Sequence, residues 1–287
     1  MSGMSNIGFI GAGLMGHGMA SRLMRAGHRL TVIAHKNRAP IDDLVAKGAR
    51  EAASLADLAA GQDTIFLCVT GTPQVEATLA ALSPALTKGQ IVVDTGTSIP
   101  DSTVRLAAEL AQRGIGWADA PVGGGAHNAA RGELVSMVGA TDADFASVKP
   151  WLEATSKAIH HMGAPGAGHR AKLLNNLVSV GQAALVLQAY AMAQKDGLDW
   201  QKLYDIMMAG IARSGSLERI MVPALEGDLD GYVFSAANAA KDMGYAADFA
   251  AAQGSPPGVP AALRDFYADA AAQYGPDTLI SRLLKPV

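Results

Sequence analysis

The sequence is short of several residue types, and each shortage excludes a class of protein. A single cysteine, Cys68, among 287 residues excludes an internal disulfide. Aromatic residues make up 5% of the chain, so Ala, Leu, Val and Met must fill the core. Acidic and basic side chains nearly balance, with a net charge of −3, which predicts neither nucleic acid nor a membrane as a partner. Because the N-terminus lacks a basic segment followed by an apolar run, we expect no secretory signal and a cytoplasmic protein.

Short apolar runs alternate with helical patterns in the first half of the chain. The strand candidates are Ile7–Ile10, Leu30–Ala34, Thr64–Val69 and Ile91–Asp94, with weaker runs near Trp117, Leu134–Val138 and Ile159–Met162. The helical patterns between them are Leu14–Ala26, Pro40–Lys47, Pro73–Leu82 and Ser102–Arg113. This alternation predicts an α/β domain with a parallel, doubly wound sheet of the Rossmann type. Cys68 follows the apolar run TIFL, so it is predicted to be a buried strand residue and not a nucleophile.

The strand signals stop at about Gly166, and the rest of the chain is helical in pattern. We therefore predict a dinucleotide-binding domain over residues 1–165, an interdomain helix over 166–196 and an all-α domain over 197–287. The most apolar window, Leu173–Ala193, contains several Asn, Ser and Gln residues, which favours a buried helix over a membrane span. Later helices or a second subunit must cover its apolar surface.

The first chemical signal is the glycine-rich stretch NIGFIGAGLMGHGMA. Gly11, Gly13 and Gly16 form a G-x-G-x-x-G pattern between an apolar strand and a helix. In a dinucleotide-binding domain the first glycine allows a tight turn, the second lets the backbone approach a pyrophosphate, and the third allows close helix packing. The helix N-terminus then offers N–H groups to the phosphates. A purely structural glycine-rich turn is the alternative.

The second predicted strand ends in HKNR, where NAD-binding enzymes usually carry a carboxylate for the ribose hydroxyl. Here His35, Lys36, Asn37 and Arg38 follow the strand, and the first carboxylate is Asp42. Positive groups favour a 2′-phosphate, so we predict NADP in preference to NAD. A solvated basic loop is the alternative.

A third signal lies in GAGHRAKLLNN. Lys172, Asn175 and Asn176 are spaced to share one face of a helix that is otherwise apolar. Such a polar stripe needs partners, which a cleft that holds a polar substrate would provide. Partial burial disfavours the charged form of a lysine, so Lys172 could exchange a proton with a hydroxyl group while hydride moves to or from a nicotinamide. Surface and capping roles are the alternative for these residues.

These motifs, taken together with DAPVGGG at Asp119–Gly125, DTGT at Thr97 and AAKDMG at Lys241, follow one another along nearly the whole chain. In this order the chain resembles the β-hydroxyacid dehydrogenase family. The resemblance implies that Lys172 is the general acid/base and that Asn176 holds and orients the substrate. It also implies that Thr97 lies beside the nicotinamide, that Lys241 lies near the cofactor, and that the protein assembles as a homodimer or homotetramer.

The resemblance implies NADP or NAD as cofactor and a small β-hydroxy acid, carboxylic or sulfonic, as substrate. The predicted substrate-binding residues are Gly123, Gly124, Gly125, Asn175 and Asn176. The predicted cofactor-binding residues are Gly11, Ala12, Gly13, Leu14, Met15, Gly16, His35, Lys36, Asn37, Val69, Thr97 and Lys241. No histidine pair has Asp, Glu or Cys at metal-ligand spacing, so we predict no metal.

Two departures from the family pattern concern the substrate. Gly123 stands where the family has a serine that helps to bind a carboxylate, and Gly96 replaces the serine before Thr97. The backbone N–H groups of Gly123–Gly125 could form a concave site for an anion instead. The Gly123 replacement and Asn128 are similar to the sulfolactaldehyde reductase branch, which has an arginine where this chain has Gly124.

Two other functions remain open at this level. One is imine reduction on the same architecture, although the resemblance implies that such enzymes usually replace the lysine. The other is a dinucleotide-binding module without catalytic activity, although inactive members of the family lack the lysine that this chain keeps as Lys172.

Overall fold

The computed structural model describes residues 3–284. They form two compact units, the first ending at Lys172 and the second beginning at Leu173. The boundary between the units falls within one continuous helix, α8, which runs from Ala167 to Lys195. Each unit has its own hydrophobic core, and each is described separately below.

The first unit contains the alternating strands and helices that the sequence predicts, with additional short elements. The strands are β1 (Asn6–Ile10), β2 (Arg29–Val32), β3 (Arg50–Glu51), β4 (Thr64–Leu67), β5 (Ile91–Asp94), β6 (Gly116–Asp119), β7 (Val122–Gly123), β8 (Leu134–Ala140) and β9 (Ser156–Gly163). The helices are α1 (Gly16–Arg25), α2 (Ala39–Ala46), α3 (Leu55–Ala59), α4 (Thr72–Leu82), α5 (Pro100–Ala111), α6 (Ala126–Arg131) and α7 (Asp142–Glu153), with a 3-10 turn at Ser83–Ala85.

All nine strands form one sheet. Its order is β3-β2-β1-β4-β5-β6-β8-β7, with β9 paired to β8. The strands from β3 to β6 are parallel, which confirms the predicted Rossmann-type fold, but β8 runs antiparallel to both β6 and β7. The predicted parallel, doubly wound sheet therefore extends from β3 to β6, and β8 adds an antiparallel strand that the sequence analysis did not predict. A parallel return requires a crossover as long as the strand, and α6, six residues or about 9 Å long, is too short to supply it.

Apolar side chains cover both faces of the sheet, as its uninterrupted apolar strands predict. One core includes Phe9, Leu23 and Trp151 and packs under α1, α2 and α7. The other includes Leu58 and Leu106 and packs under α3, α4 and α5. The sheet is therefore a rigid support for the groups that lie at the ends of its strands.

The second unit consists of helices around one core. Beyond α8 it contains α9 (Trp200–Ala209), α10 (Gly215–Leu225), α11 (Ala236–Ala252) and α12 (Gly258–Tyr274), followed by a 3-10 turn at Ile280–Leu284. Tyr190 of α8 is fully buried in this core with Leu217, Met243 and Tyr267. Between Leu173 and Leu284 the structure describes only an isolated bridge between Ser235 and Leu279 in place of strands, which confirms the all-α prediction.

Among the described residues, α8 alone is long and apolar enough to cross a membrane by length and composition. Half of its most apolar window is buried inside the protein, and Val180, Ala183 and Leu187 belong to the core of the second unit. A helix at the centre of a core passes the same test of length and composition, so this finding is weak support for a membrane span.

Candidate active site

A cleft of about 620 Å³ opens at the carboxyl ends of β1, β2 and β4. Parallel sheets of this kind bind ligands where the strand order reverses, here between β1 and β4. The predicted cofactor residues that line it are Gly11, Ala12, Gly13, His35, Lys36, Asn37 and Val69. The next predicted cofactor residues along the chain, at the start of α1, are Leu14, Met15 and Gly16. Two predicted cofactor residues do not line this cleft: Thr97 lies outside its lining, and Lys241 belongs to the second unit.

The three fingerprint glycines differ in what surrounds them. Gly11 has a φ of +96°, and a Cβ atom there would lie 2.3 Å from the carbonyl oxygen of Cys68. A Cβ atom at Gly16 would lie 2.0 Å from the carbonyl oxygen of Gly11. A Cβ atom at Gly13 would have no neighbour within 4 Å. The fold itself therefore requires Gly11 and Gly16, whereas Gly13 leaves the backbone open to a group that lies against it, which fits a dinucleotide pyrophosphate.

The start of α1 suits an anion. No side chain caps this helix, and its first turn contains no acidic residue. Its positive dipole end and N–H groups therefore meet the glycine turn without competition from a carboxylate of that turn. This arrangement fits the phosphates of NAD(P).

The basic residues after β2 separate into two groups. His35, Lys36 and Asn37 line the cleft. Arg38 is bonded instead to two carboxylates, with Nη1 donating to Glu51 Oε1 at 2.6 Å and Nη2 donating to Asp42 Oδ1 at 2.7 Å. These bonds raise the pKa of the Arg38 guanidinium. Arg38 is thus the least available of the positive groups that the sequence offers to a 2′-phosphate.

Cys68 also lies in the cleft wall, next to the last residue of β4. It follows the strand rather than forming part of it, and it is partly buried. Burial raises the pKa of its thiol to about 11. A thiol that stays protonated at neutral pH agrees with the prediction that Cys68 is not a nucleophile.

The first turn of α8 approaches the sheet closely because Gly168 has no side chain. A Cβ atom at Gly168 would lie 2.4 Å from the carbonyl oxygen of Met137 and 2.6 Å from that of Asp119. Lys172 follows on the same helix, is half-buried, and its Nζ donates to the carbonyl oxygen of Val122 at 2.8 Å. The motif spacing G-x-G-x-x-x-K therefore brings the lysine amine to the strand that begins the glycine loop.

The predicted anion site at Gly123–Gly125 is partly engaged by the protein itself. Gly123 belongs to β7 and lies opposite Val135 of β8. The N–H group of Gly125 donates to Asn128 Oδ1 at 3.0 Å. Gly124 is exposed and has a φ of +114°, a conformation that an arginine at this position would strain.

The stretch after the glycines forms helix α6, which the sequence analysis did not predict. His127 lies on α6 and is bonded to Arg131. The Asn128 side chain bonds the amide of Gly125, just before the helix begins, and so starts α6. This helix was not predicted because it is only six residues long and follows three glycines, and the capping role of Asn128 was not recognised.

A buried cluster that the sequence analysis did not identify lies behind this site. Asp94, Asp119 and His169 have fully buried side chains. Asp119 accepts N–H bonds from Gly166 at 2.7 Å and from His169 at 2.9 Å, so it caps the start of α8. The signal was present in the sequence, since each aspartate ends an apolar strand and opens one of the motifs.

The remaining predicted residues lie in the second unit. Asn176 is buried, and its Nδ2 donates to Asp242 Oδ2 at 2.7 Å, whereas Asn175 is exposed and donates to Asn176 Oδ1 at 3.3 Å. Lys241 pairs with Asp242 Oδ1 at 2.9 Å and lies over the ring of Tyr245. Asp242 therefore joins Lys241 to Asn176, a connection that sequence reasoning did not predict.

No group of three or more His, Cys, Asp or Glu residues that could hold a metal ion occurs within residues 3–284.

Comparison with known proteins identifies the family. The family model for the NAD binding domain of 6-phosphogluconate dehydrogenase matches residues 6–163, and the model for the NAD-binding region of NADP-dependent 3-hydroxyisobutyrate dehydrogenase matches residues 166–287. The mitochondrial 3-hydroxyisobutyrate dehydrogenase of Drosophila melanogaster is 34% identical over 262 residues, 88% of this chain and 80% of that protein. The 2-hydroxy-3-oxopropionate reductase of Escherichia coli (strain K12) is 36% identical over 216 residues, 74% of this chain and 73% of that protein.

A solved structure agrees with these matches. The 3-hydroxyisobutyrate dehydrogenase of Mycobacterium tuberculosis, in a structure with L-serine, superposes with a TM-score of 0.87 at 27% identity and covers 98% of each chain. The fold and the cleft define an oxidoreductase that binds NAD(P). The chain belongs to the β-hydroxyacid dehydrogenase family, as the resemblance implied.

Proposed function

We propose that this protein is an NADP-preferring dehydrogenase of a small β-hydroxy acid, or a reductase of the matching semialdehyde, with Lys172 as its general acid/base. The observation that carries this proposal is the 2.8 Å bond from Lys172 Nζ to the carbonyl oxygen of Val122, beside the Gly123–Gly125 loop. NAD(P), when bound, supplies the hydride acceptor or donor. The residues of this chain bind the acid and move the hydroxyl proton.

The environment of Lys172 supports this role. A carbonyl oxygen directs the amine without neutralising its charge, so the ammonium form keeps protons to donate to a developing alkoxide. In the direction of alcohol oxidation, the neutral amine would take the hydroxyl proton. In the direction of reduction, the ammonium would return it.

We further propose that the substrate carries a carboxylate or sulfonate. Because Gly125 donates its N–H to Asn128 and Gly123 is paired with Val135 of β8, the backbone of Gly124 is the part of the Gly123–Gly125 loop that we assign to the anion. Asn176 is proposed to hold the substrate, with Asn175 beside it along the helix. A carboxylate accepts but does not donate, so Asp242 fixes which end of the Asn176 amide is the donor.

Steady-state kinetics with purified protein tests this function. NADP⁺ and NAD⁺ are assayed with C3 and C4 hydroxy acids, and NADPH and NADH with semialdehydes, sulfolactaldehyde and cyclic imines. We expect turnover of an acid or semialdehyde and a higher kcat/KM with the phosphorylated cofactor. Turnover of imines alone would establish the alternative activity. Tight cofactor binding without any turnover would indicate a binding module.

The glycine turn offers a test of cofactor binding that is separate from folding. Gly13→Ala should leave the thermal midpoint within a few degrees of wild type, because a Cβ atom there meets no neighbour, and should raise the NADP⁺ dissociation constant about 10-fold. Gly16→Ala is the matched comparison and should lower the midpoint markedly, because its Cβ would meet the Gly11 carbonyl. Calorimetry and cofactor titration measure both. Unchanged affinity in Gly13→Ala would contradict the assignment of this turn to the pyrophosphate.

An exposed apolar stripe on α8 supports assembly into a homodimer or homotetramer. Leu174, Val178, Leu185 and Met192 are 54%, 60%, 71% and 62% exposed, and their spacing places them on one side of the helix. We propose that a second copy of the chain covers this stripe.

Leu185→Glu should therefore shift the protein towards the monomer, because a buried carboxylate without a partner is costly at an apolar interface. Val259→Glu, at a residue of α12 that is 68% exposed and lies outside the stripe, is the control. Light scattering coupled to size exclusion measures the mass. Equal masses for both variants and the wild type would exclude the stripe as the interface.

A further inference from the structure

Two buried aspartates lie directly opposite each other at the ends of neighbouring strands. In the parallel register of β5 and β6, Asp94 pairs with Asp119, and both side chains have no exposed surface. Paired residues of adjacent parallel strands point to the same face and lie about 4.8 Å apart. Two carboxylates this close in a buried site repel each other unless nearby donors and positive groups offset the repulsion. Asp94 accepts from the N–H group of Gly96 and from the hydroxyl of Ser98, each at 2.9 Å.

The imidazole of His169 lies beside both carboxylates. Its imidazole Nε2 lies 3.6 Å from Asp94 Oδ2, and its Nδ1 lies 3.9 Å from Asp119 Oδ2. Nδ1 is also 2.8 Å from the hydroxyl of Thr103, which donates in turn to the carbonyl of Ile99 at 3.3 Å. The imidazole is thus held from α5 and faces the carboxylates at the ends of β5 and β6.

Asp119 connects this cluster to the start of α8. Its two carboxylate oxygens accept the N–H groups of Gly166 and His169, and the backbone of Gly139 lies close to it on the β8 side. A Cβ atom at Gly139 would lie 2.6 Å from Asp119 Oδ2. Rotation of the Asp119 side chain would therefore break its bonds to the first turn of α8.

The same short segment also holds the lysine. Val122 follows Asp119 closely along the chain, and its carbonyl oxygen accepts the bond from Lys172 Nζ. Residues 119–122 thus bind α8 at two places, at its first turn through the Asp119 carboxylate and one turn later at the amine. The position of that amine depends on both contacts.

We propose that Asp119 and His169 are positioning residues that set the place of the Lys172 amine. This inference rests on the proposed role of Lys172 as acid/base. Neither residue exchanges a proton with the substrate. They act by holding the first turn of α8 against the sheet, and displacement of a reacting group by about 1 Å can cost up to about 100-fold in rate.

The pKa of Asp119 reflects both its burial and its contacts with α8. The pKa of its carboxyl is raised, because burial outweighs the neighbouring His169 and the N–H groups of Gly166 and His169, which lower it. The contacts with α8 and with the imidazole therefore offset part of the effect of burial and stabilise the form in which both oxygens accept. A protonated carboxyl would lose part of this capacity and loosen its hold on the helix.

A double-mutant cycle tests the proposal. Asp119→Asn keeps the shape of the side chain but replaces one acceptor oxygen with a donor, and we expect kcat to fall about 10- to 100-fold with little change in NADP⁺ affinity. In the Lys172→Ala background the same substitution should change kcat by less than about 2-fold, because the group that it positions is gone. Effects that multiply in the double variant would overturn the proposal.

Two further variants keep the test decisive. Thr103→Val removes the hydroxyl that holds His169 and keeps the size of the side chain at position 103. It serves as the test if Asp119→Asn does not fold. We expect a smaller loss of kcat than in Asp119→Asn, and again almost no further loss in the Lys172→Ala background. Thr64→Val removes a buried hydrogen bond to the Ile91 carbonyl elsewhere in the sheet and should leave kcat unchanged. Full activity of Lys172→Ala would reject the proposed function and this inference together. An inactive Lys172→Ala with a fully active Asp119→Asn would reject the positioning role alone.

Discussion

Replacement of Lys172 by alanine is expected to lower kcat by roughly 10² to 10⁴, the range for loss of a positioned acid/base. The amine donates to the Val122 carbonyl and belongs to the first unit, together with the cofactor cleft. Because Lys172 is absent from the lining of that cleft, the dissociation constant of NADP⁺ should hardly change. Stopped-flow reduction of the cofactor and fluorescence titration measure the two quantities independently.

Lys172→Arg is the informative companion. Arginine keeps the positive charge and the ability to donate a hydrogen bond, but it does not release its proton near neutral pH. We expect it to bind the acid substrate and yet to remain almost as slow as the alanine variant. Wild-type rates in Lys172→Ala would disprove the assignment of the acid/base, and wild-type rates in the arginine variant would reduce the lysine to an electrostatic role.

Replacement of Lys36 by glutamine is expected to raise KM for NADP⁺ by about 10- to 100-fold and to leave KM for NAD⁺ nearly unchanged. Lys36 lines the cleft, and a hydrogen bond to a charged phosphate contributes about 1.5–3 kcal/mol. The side chain is exposed, so the difference between the variant and the wild type should shrink at high salt. Initial rates with both cofactors at two ionic strengths measure the effect.

Arg38→Gln is the control for this experiment. Its guanidinium is bonded to Glu51 and Asp42, so its loss should affect NADP⁺ far less than the loss of Lys36. A larger effect at Arg38 than at Lys36 would show that a bound 2′-phosphate takes Arg38 away from these carboxylates. Equal KM values for the two cofactors in the wild type would contradict the NADP preference itself.

The difference between Lys36 and Arg38 illustrates what the sequence could not reveal. Strand β3 has two exposed polar residues, Arg50 and Glu51, and therefore carries no apolar signal that would predict a strand. Its pairing with β2 sets Glu51 opposite Val32 and so brings a carboxylate to Arg38. The ion pair between Arg38 and Glu51 therefore could not be predicted from the local sequence, because it forms only when the short edge strand β3 pairs with β2.

The buried strands were predictable for the opposite reason. Strands β4 and β5 are buried along their whole length, so they read as continuous apolar runs bounded by polar residues. The antiparallel edge was missed because the direction of a strand leaves no trace in its own sequence. Only the length of the connection, here the short α6, decides it.

The buried cluster of Asp94, Asp119 and His169 was predictable only in part. Asp94 and Asp119 each end an apolar strand, and this is visible in the sequence. The strand order places these two aspartates side by side, and it cannot be read from the sequence. His169 lies near both of them because Gly139 and Gly168 permit a close approach of α8 to the sheet. Residue types at strand ends therefore predicted where polar groups gather, but not which of them meet.

The state of Cys68 has a consequence for the chemistry beside it. With the pKa of its thiol raised to about 11, roughly one molecule in a thousand carries a thiolate at pH 8. Aldehydes are captured as hemithioacetals by thiolates far faster than by neutral thiols, and peroxides follow the same rule. If the proposed semialdehyde is the reactant, the neutral Cys68 thiol in the wall of the cofactor cleft would react with it, and with oxidants, more slowly than a thiolate would.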